Sequence, residues 1–161
     1  MIEYKTGTDV IDWDSLMKLY CETDGVIGLA RAGNLLRIQK AFVNSCCVVT
    51  AWSGDRIVGA GRMISDGECY GWIHDMAVLP DLQKQGIGRG IVDNLMEGNE
   101  HLLIGLTSSF DAVGFYRKLG FKKHKTAYAK YPGASSYLED EPQARMADSK
   151  LAKRETFESC P

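Results

Sequence analysis

The sequence predicts a mixed α/β layer fold, with a mostly antiparallel sheet flanked by helices. β-like runs at 46–52, 57–65 and 70–79 follow one another through short polar turns, as in an antiparallel meander. Helical periodicity brackets that meander at 12–20, 34–42 and 91–96. Beyond residue 100 the order becomes strand, helix, strand.

Residues 2–5 read as the first strand. A helix is predicted from Asp12, with Trp13, Leu16, Met17 and Tyr20 as its buried stripe. The segment 23–33 is polar and glycine-containing, and reads as a loop. Asn34 is the expected cap of a second helix that turns Leu35, Ile38 and Phe42 inward. The turn Ser53-Gly54-Asp55 joins two strands into a hairpin, and Asp66-Gly67-Glu68 leads into the strand 70–79. Ile91, Val92, Leu95 and Met96 recur at helix spacing, a strand is expected at 101–106, and Ala112, Val113, Tyr116 and Leu119 stripe a short helix that stops at Gly120. Two last strands are expected near 121–123 and 126–131. From Pro132 the chain turns polar, with Ser135-Ser136 and the acidic run Glu139-Asp140-Glu141, and disorder or a surface-hugging course is expected. The expected division is one domain over 1–133 and an extension over 134–161.

A chain of 161 residues with 45% hydrophobic content can bury one real core. A net charge of −2 offers no basic field, so nucleic acid is not an expected partner. Neither a signal pattern at Met1-Ile2-Glu3-Tyr4-Lys5 nor a run of transmembrane length is present, so no membrane partner is expected. Cys21, Cys46, Cys47, Cys69 and Cys160 are odd in number and contain no C-x-x-C. That usage fits free thiols in the cytoplasm, with no metal site, and Cys46 and Cys47 read as small core hydrophobes.

The segment from Val78 to Gly90 carries the functional signal. A strand ends, Gly86 and Gly88 follow, and a helix begins with its first amides unpaired. Bare amides at the positive end of a helix dipole cradle phosphate or pyrophosphate. The dinucleotide pattern G-x-G-x-x-G is broken after Gly90 by Ile91, and Gly88-Arg89-Gly90 lacks the Lys-Ser/Thr of the Walker loop. Val78, Pro80, Gln83, Gly86 and Gly88 instead fit V-x-P-x-x-Q/R-x-x-G-x-G. This resembles the acetyl-coenzyme A signature of the GNAT superfamily of N-acetyltransferases. Phe115-Tyr116-Arg117-Lys118-Leu119-Gly120-Phe121 likewise resembles the F-Y-x-K-L-G-F stretch of those enzymes.

The resemblance implies a GNAT-like sheet of about six or seven strands with about four helices. It implies acetyl-coenzyme A as co-substrate, held by backbone of Met76, Ala77 and Val78 and by Gln83, Lys84, Gln85, Gly86, Ile87, Gly88 and Arg89. Many relatives carry an asparagine where this chain has Ser109, a further contact with the coenzyme. The tyrosine matching Tyr116 protonates the departing thiolate in the family, although Tyr116 also falls on its helix's buried stripe. The expected acceptor is a small primary amine, with a homodimer compatible. A protein or peptide N-terminus as acceptor, and a silent acyl-coenzyme A sensor, are the competing readings.

An amine with a pKa near ~10 is protonated at neutral pH and must lose a proton before it attacks. His74, in the strand that leads into the cradle, is the candidate base, since its ordinary pKa of ~6.5 suits that work. Alternation places His74 with Trp72 and Met76 on one sheet face, and Asp75 with Ile73 and Ala77 on the other. Asp75 acting through a water, or solvent alone, competes for the role, as does a structural role for His74. No cysteine lies near either motif, which favours direct transfer over a covalent path. Trp13, Tyr20, Trp52, Tyr70, Trp72 and Tyr128 are candidates to line an acceptor site. Glu22, Asp24, Asp66, Glu68 and Asp111 are candidates for an acidic mouth.

Overall fold

The computed structural model describes residues 1–23 and 33–139. The expected loop at 23–33 therefore lies almost wholly outside the described residues, as do Asp24 and Cys160. The chain divides into two units, Met1–Phe121 and Lys122–Pro161.

The first unit is built on one sheet. Its strands are β1 (Ile2–Thr6), β2 (Cys47–Ser53), β3 (Arg56–Ser65), β4 (Tyr70–Val78) and β5 (Leu103–Leu106), ordered β1-β2-β3-β4-β5. The first four pair antiparallel and β5 lies parallel to β4. The helices are α1 (Trp13–Glu22), α2 (Leu35–Val43), α3 (Ile87–Met96) and α4 (Val113–Lys118), with 3₁₀ turns at Pro80–Leu82 and Phe110–Ala112.

Local chemistry explains the boundaries. Asp12 caps α1 by accepting from the Asp14 amide, and Asn34 caps α2 by accepting from the Arg37 amide. Asp66 Oδ1 accepts the amides of Glu68, Cys69 and Tyr70, which ties the β3–β4 turn and lowers its own pKa to about 2. α1 and α2 cover one face of the sheet through Leu16, Tyr20, Ile38 and Phe42, all nearly inaccessible. α3 covers the other: Ile91 and Leu95 fill the space in which a Gly61 side chain would stand, and Ile91 and Ile87 do so at Gly59. Large side chains on the helix thus answer absent ones on the strand.

The expected strands at 121–123 and 126–131 do not form, so the sheet has five strands rather than six or seven. Lys122-Lys123-His124-Lys125 offers no apolar alternation to bury. The Thr126 amide donates locally to His124 Nδ1, and residues 122–134 are all exposed.

Candidate active site

β4 pairs with β3 through Gly59↔Val78 and Ala60↔Ala77, and then resumes at Arg62↔His74. Gly61 alone therefore faces two residues, Asp75 and Met76. This is a β-bulge, and Asp75 sits in the left-handed region at φ 55°. The bulge overturns the facing expected from simple alternation. Trp72 and His74 share the α1–α2 face with Arg62 and Ile64, their partners on β3. Asp75 joins them, because its carboxylate reaches Arg62 Nε. Met76 passes to the α3 face, where its sulfur occupies the position of the missing Gly61 side chain.

His74 is half-buried. Burial lowers its pKa, the Arg62 guanidinium lowers it further, and Asp75 opposes them. The imidazole is therefore neutral at neutral pH, ready to accept a proton. The sign for stability follows. As pH falls through histidine's ordinary range the unfolded chain takes up a proton before the folded one does, so His74 subtracts stability there.

β4 leads through the 3₁₀ turn to the cradle. The Gln83 side-chain amide donates to the Val78 carbonyl at 3.1 Å, and Gln85 to the Asp81 carbonyl at 3.2 Å, which pins the loop at both ends. Lys84 at φ 62° and Gly86 at φ 87° turn the chain into α3. The first amide bonded in helical fashion is that of Gly90, to Gly86. The amides from Lys84 to Arg89 find no acceptor among the described residues. That run of orphan donors fits a pyrophosphate.

The two glycines do different work. Nothing lies within 4 Å of a side chain placed at Gly86, so its space is open for a ligand. A Cβ at Gly88 would stand 3.2 Å from the Phe115 ring and 3.7 Å from Val78, so Gly88 serves close packing. Phe115 belongs to the second motif. The fold thus brings the two motif segments into contact at the start of α3.

Tyr116, next to Phe115, is 8% exposed, and its ring meets Phe115 at 4.9 Å and Phe121 at 5.9 Å. Burial pushes its pKa up to about 12. The hydroxyl makes no hydrogen bond to a described residue, yet no fully buried side-chain polar atom among those residues lacks a partner. Its oxygen must therefore reach accessible space. Ser109 precedes the 3₁₀ turn, and its hydroxyl, with nearby amides, holds Asp111 below the usual carboxylate range.

The candidate acceptor linings separate. Tyr20 and Trp52 are core, and Trp13 stands edge-on to Phe42 at 6.4 Å. Tyr70 and Trp72 are exposed on His74's face, with the Trp72 indole lying across Gly105. Tyr128 is exposed in the second unit. Among the acidic candidates, Glu22 pairs with Arg56 at 2.7 Å and Asp66 is committed to its turn. Cys46 is exposed and Cys47 half-buried rather than core, because Cys46 lies outside the sheet just before β2. Partial burial raises both thiols, which disfavours the nucleophilic thiolate. His101 and His124 are exposed. Sequence reasoning missed Arg62 and offered Tyr20 only as an acceptor lining, whereas its hydroxyl holds the Asp75 carbonyl. The available signal was a single cation inside the buried run of β3.

A strand that bulges, a loop of orphan amides and a following helix make a mixed α/β fold with unpaired donors suited to a phosphate group. Residues 44–123 match the family model described as the acetyltransferase (GNAT) domain, and the chain belongs to that superfamily. An uncharacterized N-acetyltransferase of Porphyra purpurea is 35% identical over 96 residues, covering 55% of this chain and 55% of that protein. The chain thus spans about half the length of the curated relatives it matches. Among solved structures, a protein of unknown function from meticillin-resistant Staphylococcus aureus is 25% identical, covers 80% of this chain and 100% of its own, and superposes with a TM-score of 0.64. A GNAT-family acetyltransferase from Streptococcus pneumoniae is 23% identical, covers 84% of this chain and 100% of its own, and gives a TM-score of 0.69.

Proposed function

We propose that this protein transfers an acetyl group from acetyl-coenzyme A to a small primary amine by direct attack. The observation that carries the reading is the unbroken run of unpaired amides from Lys84 to Arg89, placed directly after the strand that holds His74. These amides, with Gln83 and Gln85 pinning the loop, receive the pyrophosphate. Met76, Ala77 and Val78 offer backbone to the pantetheine and acetyl groups, and Ser109 one hydrogen bond. His74 takes the amine proton as the nitrogen bonds to the thioester carbonyl carbon. The C–S bond then breaks, and Tyr116 donates to the departing sulfur. Exposed Trp72 and Tyr70 beside His74 favour a compact acceptor with an apolar body. The raised cysteine thiols support direct transfer over a covalent enzyme intermediate. No helix among the described residues is long and apolar enough to cross a membrane, and the cytoplasm is the proposed compartment.

Release of free coenzyme A across a panel of polyamines, arylalkylamines, amino acids and amino sugars tests the reading. Binding of acetyl-coenzyme A without release over any amine or peptide would leave a sensor instead. Acetylation of peptide N-termini alone would move the acceptor to the protein class.

His74→Gln separates the base from its alternatives. In the wild-type enzyme kcat/KM should rise with pH through a pKa below histidine's ordinary ~6.5, because burial and Arg62 favour the neutral ring. The variant should lose about tenfold or more in kcat/KM and lack that limb. A retained limb would hand the proton to solvent or to Asp75.

A further inference from the structure

β3 is buried from Ile57 to Gly61 and again at Met63, and Arg62 stands as a cation between them. Its side chain is 12% exposed and that of Asp75 19%, with Nε and Oδ2 2.5 Å apart. Arg62 Nη1 also donates to Ser45 Oγ at 3.1 Å and to the Ala41 carbonyl at 3.5 Å, and the guanidinium lies 5.9 Å over the Phe42 ring. Tyr20, fully buried on α1, donates its hydroxyl to the backbone carbonyl of Asp75 at 2.6 Å. Asp75 is therefore held at both its carboxylate and its carbonyl.

It sits at φ 55° at the bulge, in the left-handed region that few L-residues besides Asn and Asp adopt. Glycine would take this backbone without strain. The side chain that Asp supplies instead is the one Arg62 grips.

Resting on the acetyltransferase reading above, we propose that Tyr20 and Arg62 are positioning residues. By gripping Asp75 they hold the β4 bulge that brings Asp75 onto His74's face and presents Met76, Ala77 and Val78 to the coenzyme. Among the described residues the charged groups acting on His74 are Arg62 from β3 and Asp75 on its own strand, with the neutral Tyr20 phenol supporting Asp75 from α1. They pull the imidazole in opposite directions, so removing each should displace it oppositely.

The test uses the full chain and NMR titration of its three histidines, with exposed His101 and His124 as internal references. Asp75→Asn should move the His74 titration down and Arg62→Gln should move it up. Arg62→Lys should keep it near the wild-type value. Tyr20→Phe keeps both charges and the ring. It should lower kcat about tenfold and raise KM for acetyl-coenzyme A by less, about threefold at most, since the loosened strand meets only the acyl end and the pyrophosphate cradle is untouched. Arg62→Lys should show the same kcat loss, because an ammonium cannot span Asp75, Ser45 and Ala41 together.

Wild-type kcat in folded Tyr20→Phe would overturn the proposal, and so would an unmoved His74 titration in folded Asp75→Asn. These two variants decide the matter even if Arg62→Gln fails to fold. If the wild-type protein acetylates no amine, the acetyltransferase reading falls, and the histidine titrations still decide the clamp.

Discussion

Gly86→Asp is expected to abolish acetyl-coenzyme A binding, whereas Gly86→Asn should keep affinity within about tenfold. Position 86 is open, with nothing within 4 Å of an added side chain, so neither substitution clashes with the protein and both enter the ligand's space alike. Its φ of 87° is strained for most side chains, but Asn and Asp tolerate that region best and are nearly the same size. The pair therefore differs chiefly in charge. A carboxylate at the positive start of α3 would occupy the anion's place among the orphan amides and repel the pyrophosphate. Like-charge juxtaposition of this kind costs several kcal/mol, which is a loss of about a hundredfold or more. Isothermal titration of both folded variants is the measurement. Equal affinities would mean that the cradle does not bind through an anion. Gly88→Asp should also lose binding, but Gly88 packs against Phe115, so that loss would mix displaced packing with charge.

The contrast between these glycines shows where reading the sequence stops. G-x-G marked both residues as ligand approach, and the pattern is silent on whether a given glycine makes room for phosphate or for a phenyl ring. Phe115 is far from Gly88 in sequence, and only tertiary packing brings them together. The meander was legible because each of its turns carries its own chemistry, Asp66 and Gly67 above all. Facing on β4 was not. Period-2 reasoning assumes an uninterrupted ladder, and one extra residue at Asp75 and Met76 reverses every assignment beyond it. The clue lay on the neighbouring strand, where buried Arg62 needed an anion. The expected strands at 121–123 and 126–131 failed for a simpler reason. Lys122 and Lys123 leave the first no apolar face to bury, and Tyr128 and Tyr131 of the second are exposed.

Tyr116→Phe should lower turnover by about a hundredfold, the low end for loss of a general acid. The change removes one oxygen from a ring that packs against Phe115 and Phe121, and among the described residues that oxygen has no hydrogen-bond partner to orphan. Stability and acetyl-coenzyme A affinity should therefore be nearly untouched. This separates the outcome from a packing defect. A phenol with a pKa of about 12 is fully protonated at neutral pH, so it is always available as a donor. It is also a weak acid against a thiol of ordinary pKa ~8.5 in water. Its help must then come mainly as a hydrogen bond to the departing sulfur, with complete transfer only where burial raises the thiol as it has raised the tyrosine. A consequence can be measured. The deficit of the Phe variant should shrink with a thioester whose thiol is more acidic, because a better leaving group needs less help. Single-turnover acetylation with thioesters of graded thiol acidity would show this as a steeper dependence on the leaving group in Tyr116→Phe than in the wild type. Parallel dependences, or a wild-type single-turnover rate in the variant, would leave Tyr116 as a filler of the core.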